Sequence, residues 1–138
     1  MQTLIEIGVG VVLAVGFILL VRRSRSYTRE KRAIAVGLVV AALIYVGFAL
    51  FNDSVTWVLI ELAGVAICVV FAWLGLKRSG WALALGWALH PLWDAGLHHS
   101  TEFVPHWYVA ACIGFDLLVA GYVAFREFNG RNFEPEAS

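Results

Sequence analysis

Residues Ala88–His99 read ALHPLWDAGLHH, an apolar run interrupted by His90, Pro91, Asp94, His98 and His99. On an α-helix His90, Asp94 and His98 stand at i, i+4 and i+8. At about 100° per residue they drift through only about 80° of arc and line one face. A polar face on an otherwise greasy helix is expected where a helix crosses lipid and turns its few polar groups inward.

The rest of the chain bears this out by composition. Of 138 residues 61% are hydrophobic and only 14% are charged, with a mean hydropathy of +0.80. A soluble domain is about half apolar and a quarter charged, so this chain belongs in a bilayer. Its formal net charge is zero, which gives no reason to expect a nucleic-acid partner. Cys68 and Cys112 both fall inside apolar runs and are expected to behave as small buried hydrophobes rather than a disulfide. The N-terminus has no basic region and Glu6 interrupts its apolar run, so no cleaved signal peptide is expected.

A spanning helix needs roughly 20 apolar residues. Five segments qualify, at about 3–21, 33–51, 55–76, 80–97 and 105–125, and predict an all-α, five-helix transmembrane bundle forming one domain over 1–138. The ten Lys and Arg residues fall in the connectors after segments one and three and in the tail after segment five. Because positive residues in short loops stay cytoplasmic, the N-terminus is expected outside and the C-terminus inside, in a multi-pass bacterial inner-membrane protein. Trp57, Trp81 and Trp107 lie near helix ends and suit interfacial anchoring; Trp73, Trp87 and Trp93 are deeper and read as core or pocket wall. Gly8, Gly10, Gly16, Gly64, Gly86, Gly114 and Gly121 are expected to let helices approach closely. The Asn52–Ser54 connector reads as a tight turn and the tail beyond Phe125 as frayed.

With that topology, Glu6, Asp53, Glu61, Asp94, Glu102, Asp116 and all four histidines share one half of the membrane with no Lys or Arg. A charged side chain at the bilayer centre costs roughly 2.5–3.5 kcal/mol on insertion scales. Glu61, Asp94 and Asp116 must therefore be neutralised by protons, by imidazolium, by a metal ion or by a cationic ligand. Pro91 removes the N–H that the Trp87 carbonyl would accept, which predicts a kink and a reason for a polar cavity at His90.

His90 and Asp94 have the i, i+4 spacing that lets two side chains share a ligand. A histidine with carboxylates suits Zn²⁺, Fe²⁺ or Mn²⁺, with Asp116 or Glu61 as a further oxygen ligand and His98 a distant fourth, about 12 Å along an ideal helix from His90. Without a metal the same groups form an acid/base relay, His90, Asp94, Asp116 and Glu61 carrying protons; the plain alternative is a set of satisfied polar pairs holding helices together. Tyr108, Cys112 and Asp116 form an i, i+4, i+8 stripe, which would let Asp94 and Asp116 pair and share a proton. Glu61 lies one turn from Trp57. His98, His99, Glu102 and His106 read as a histidine-rich outer rim. A haem held by two histidines, a serine or cysteine nucleophile and a phosphate loop all lack the residues they need.

The runs HPLWDAGLHH (90–99) and VPHWYVAACIGFDLLVAGY (104–122) resemble small bacterial integral membrane proteins of unknown function carrying an H-P-x-x-D-x-x-x-H stretch. That resemblance implies a membrane location and no activity. From the residues themselves, the expectation is a membrane enzyme acting on a lipophilic small molecule by acid/base chemistry (isomerase, cyclase or hydrolase), with or without a divalent metal. Trp57, Trp87, Trp93 and Tyr108 would bind the substrate, and membrane lipid would surround the protein. Two other classes stay open: a metal-ion or proton transporter, for which five helices are scant without a homo-oligomer, and a structural subunit.

Overall fold

A computed structural model describes residues 1–98 and 102–133, with side chains through Gly130. Five helices follow in order: α1 (Gln2–Arg22), α2 (Tyr27–Phe51), α3 (Val55–Lys77), α4 (Gly80–His98) and α5 (His106–Phe133). The chain is all-α, and α1, α2, α3 and α5 are each long and apolar enough to cross a membrane. This is a membrane protein on that evidence. The fourth segment differs from expectation: α4 has 19 residues, about 28 Å at 1.5 Å per residue, and its His90, Pro91, Asp94 and His98 lower its hydropathy below that of the other four. The helix continues through Pro91.

Two boundaries move. The second helix starts at Tyr27, not Ala33, after Ser26 in an extended conformation (φ −136°), and takes Glu30 into its first turn, where a carboxylate complements the helix dipole. The fifth runs to Phe133 instead of fraying after Phe125, because Arg126 and Glu127 find partners on α2. The Asn52–Ser54 turn is as expected: Asp53 adopts φ 52°, a left-handed conformation that Asp tolerates, and the Ser54 hydroxyl accepts the Trp57 backbone N–H at 3.3 Å as the cap of α3.

The helices form an open ring. Extensive contacts join α2 to α3, α3 to α4, α4 to α5 and α5 to α1, whereas α1 and α2 barely meet. The α1–α5 contact is close: a Cβ on Gly10 would fall 1.8 Å from the Ala111 carbonyl oxygen, and one on Gly114 2.3 Å from that of Ile7. These glycines do what was expected of them. Gly8, Gly16 and Gly121 have nothing within 4 Å of such a Cβ and bring no helices together. Ile34, Leu38, Leu83, Trp87, Val119 and Val123 form the core from α2, α4 and α5, with the Trp87 indole N–H donating to the Ile34 carbonyl at 3.2 Å. On α4 the buried face runs Leu83, Trp87, His90, Asp94, His98, so the apolar stripe of its first half becomes the polar stripe of its second. Trp73, expected inside, is 54% exposed and faces outward from α3. Trp81 and Trp107 are exposed near helix ends.

At the basic end α2 is clasped to α5. The Tyr27 hydroxyl donates to Glu127 at 2.5 Å and the Tyr122 hydroxyl to Glu30 at 2.7 Å. Arg126 lies 3.5 Å from Glu30 and over the Tyr27 ring, and Lys31 is 3.8 Å from Glu127. Glu30 is buried, so its hydrogen bond is protected from water. Tyr122→Phe should lower unfolding free energy by about 1.5–3 kcal/mol, read by denaturant titration in detergent; an unchanged midpoint would show that Arg126 alone satisfies Glu30.

Candidate functional site

The stripe on α4 meets α5 at His90. Its Nδ1 lies 2.7 Å from Asp116 Oδ2 on α5 and 3.6 Å from Asp94 Oδ2 one turn along its own helix. All three residues are buried, Asp94 completely. The expected grouping of these three therefore occurs, with one change of arrangement. The carboxylates do not pair with each other alone; both approach a single imidazole nitrogen.

One ring nitrogen carries at most one hydrogen, so Nδ1 serves Asp116, and neither oxygen of Asp94 has a hydrogen bond. The buried hydroxyl of Tyr45 on α2 is turned toward Asp94 and Cys112 without a hydrogen bond of normal geometry. With neutral imidazole and two ionised carboxylates the centre carries a charge of −2, and among the described residues no Lys or Arg is beside it. Two protons or one divalent cation bring it to zero, and burial makes neutrality the requirement.

Glu61 and His98 are placed differently from expectation. His98, expected at a solvated rim, is buried with its Nε2 2.7 Å from Glu61 Oε1. Glu61 also accepts from the Trp93 indole N–H at 3.4 Å. The two form a second pair and do not join the His90 centre; His98, named from sequence as a fourth metal ligand, is directed at Glu61. An aromatic box encloses it: Tyr45 stacks on His98 at 4.7 Å, with Trp57 at 5.8 Å and Phe103 at 5.5 Å. Tyr45 also meets the His90 ring edge-on at 5.7 Å and so stands between the two ionisable sites. Of the remaining rim residues, Glu102 and His106 are exposed, with His106 3.5 Å from Glu6; His99 lies outside the described residues.

Two cavities border the centre. Where α1 and α2 splay apart, an apolar groove of about 340 Å³ is lined by Phe17, Ile44, Trp87, Tyr108, Cys112 and Asp116 among others. A smaller one of about 60 Å³ between α3 and α4 is lined by Glu61, Cys68, His90 and Trp93 among others. Trp87 and Tyr108 thus wall the groove, Trp93 walls the small cavity, and Trp57 lines neither but packs on His98. Cys68 and Cys112 are free thiols. Between this region and the clasp at the basic end lies the apolar core of Ile34, Leu83, Val119 and Val123.

Tyr45 is the functional neighbour that sequence reading passed over. Its signal was available: it is the one hydroxyl-bearing residue in the apolar run 33–51, and a polar atom in such a run needs a polar partner in the bundle.

Fold and site together define a helical membrane protein with a buried His–Asp–Asp centre beside an apolar groove. The chain belongs to the DUF6010 family, a family of unknown function whose model matches residues 3–130. The match spans all five helices, beyond the two that carry the H-P-x-x-D-x-x-x-H resemblance. No curated protein and no solved structure matches the chain.

Proposed function

We propose that this protein is a membrane enzyme that admits a lipophilic small molecule through the groove between α1 and α2 and acts on it at the His90–Asp94–Asp116 centre. The observation that carries the reading is that Asp116 belongs both to the groove wall and to the buried centre. The groove's volume is within the range of small-molecule sites, roughly 300–1,000 Å³, and such sites are mostly apolar with a few converging polar groups. An apolar ligand reaches a lateral opening from the lipid without crossing water.

Within that reading the residues divide the work. Asp116 faces the substrate, His90 exchanges a proton with it, and Asp94 adjusts the charge of the pair from the other side of the same nitrogen; proton transfer of this kind suits an isomerase, cyclase or hydrolase. Trp87, Phe17 and Tyr108 give the substrate aromatic walls, whose faces stabilise developing positive charge. Glu61 and His98 stand behind the centre. All ten basic residues at one end favour the N-terminus outside and the C-terminus cytoplasmic, with α4 as a fifth crossing whose polar face is shielded by its neighbours, in a bacterial inner membrane.

The test is photolabelling in detergent or nanodiscs with a long-chain alcohol bearing a diazirine at its hydrocarbon end. Adducts should concentrate on groove residues Val9, Leu13, Val40 and Ile44, and Val40→Trp, which fills the groove from α2, should reduce them by about tenfold, an order expected when a bulky side chain occupies the pocket. Equal labelling of outward residues such as Leu59 and Val70 on α3, unaffected by Val40→Trp, would contradict a specific groove.

A further inference from the structure

We propose that the His90–Asp94–Asp116 centre is a binding site for a divalent transition-metal ion, of the class of Zn²⁺, Fe²⁺ or Mn²⁺. The inference deepens the enzyme reading by naming the group that occupies the centre, but ion binding itself does not depend on a substrate.

Three observations converge. The first is geometric: one atom from each of the three side chains lies within 4.8 Å of the others. Ligand atoms at about 2.0–2.2 Å from a tetrahedral ion stand about 3.4 Å apart. The observed separations of 2.7 and 3.6 Å from His90 Nδ1 fall on either side of that figure, so the two carboxylates need only modest side-chain adjustment about the imidazole. The second is chemical: Asp94 is completely buried and, among the described residues, neither of its oxygens has a hydrogen bond of normal geometry. A buried carboxylate so weakly satisfied costs several kcal/mol; one of its oxygens lies 3.6 Å from the nitrogen that also meets Asp116, and the Tyr45 hydroxyl turned toward it makes no bond of normal geometry. The third is charge. A neutral imidazole with two carboxylates carries −2, and one divalent cation cancels it.

The donor set narrows the ion. An imidazole nitrogen with two carboxylate oxygens suits borderline and harder first-row ions, without the thiolates that select Cu(I) or the all-oxygen shell that suits Mg²⁺ and Ca²⁺. Three protein ligands would leave a coordination position open, as catalytic sites do, and one of those ligands, Asp116, also lines the groove. A bound ion would supply Lewis acidity where the groove ends. Binding through Nδ1 puts the imidazole proton on Nε2, on the opposite side of a ring that also borders the cavity containing Glu61. The exchange balances: the neutral, protonated centre gives up two protons and takes up one M²⁺, so the net charge in the bilayer stays at zero.

Purified full-length protein is the material for the test. Metal analysis after dialysis should find about one equivalent of Zn, Fe or Mn per chain. Chelator-stripped protein titrated with Zn²⁺ or Mn²⁺ in weak buffer should release about two protons per ion bound and gain thermal stability, since an ion that binds only the folded state stabilises it. Asp94→Asn and Asp116→Asn, close to isosteric, should each lower the affinity at least about tenfold, whereas His106→Ala should not change it. A wild-type protein that holds no metal as purified but takes up one equivalent with proton release also supports the site. If stripped protein neither binds the added ions nor shifts its melting temperature, or if both Asn variants bind as wild type does, the proposal is wrong. Photolabelling of the groove in the stripped protein stands or falls separately, so loss of the ion site and loss of the enzyme reading are told apart.

Discussion

Leucine in place of His90 is expected to lower the unfolding free energy by about 3–5 kcal/mol, the cost of leaving buried charge without its partner. The reason lies in the arrangement of the centre. His90 Nδ1 lies 2.7 Å from Asp116 Oδ2 and 3.6 Å from Asp94 Oδ2, and both acids are inaccessible to water. Removing the imidazole leaves two carboxylates facing each other with no donor between them. If the loss arises from that uncompensated charge and not from a cavity, most of it should return when Asp94 and Asp116 are both changed to Asn in the His90→Leu background, because the amides need no counter-charge. Denaturant unfolding in detergent reads both variants. A His90→Leu protein within about 1 kcal/mol of wild type, or a triple variant no more stable than the single one, would mean that the three residues are not one coupled unit.

The second large effect is expected at Gly10. Its neighbour across the α1–α5 contact is backbone, the Ala111 carbonyl, with a built Cβ only 1.8 Å from the oxygen. Backbone cannot swing aside as a flexible side chain does, so Gly10→Leu must push α1 off α5. Loss of at least about 4 kcal/mol, above the range of ordinary point substitutions, or failure to assemble is the outcome foreseen. The groove should go with it, since α1 supplies Val9, Leu13 and Phe17 to its wall; photolabelling would then fall in step with stability. Gly16→Ala is the control. It meets nothing within 4 Å and should be neutral or gain up to about 1 kcal/mol from helix propensity. Equal behaviour of the two positions would show that α1 does not depend on close packing.

Much of this was legible in the sequence because the bilayer simplifies the code. Apolar runs located the five helices, and the i, i+4 spacing put His90 and Asp94 on one face, where the fold turns them toward Asp116 of another helix. Side-chain partners between helices were less accessible. Periodicity fixes the direction of a residue about its own axis but not which neighbour it meets, so Glu61 could be assigned to the Asp94–Asp116 group although it pairs with His98. The same limit hid the clasp, whose Glu30 and Glu127 fall outside the apolar runs 33–51 and 105–125. Only the packing of α2 on α5 makes them buried partners of Tyr122 and Tyr27, and those contacts also extend both helices past the ends that hydropathy suggests. Trp73 was misplaced for a different reason. In a soluble protein a mid-helix tryptophan marks the interior, whereas in lipid the outward face is as apolar as the core, and burial no longer follows from hydrophobicity.

For the proposed chemistry to occur, a lipophilic molecule in the groove must reach the buried carboxylates. Moving the diazirine to the hydroxyl end of the same long-chain alcohol tests it most directly, because the label then reports where the polar end of the ligand rests. Adducts on Asp116, Tyr108 or Cys112, lost in Val40→Trp, are the predicted result; adducts restricted to helix ends outside the groove such as Phe51 and Trp81, with the three inner residues unlabelled, would contradict it.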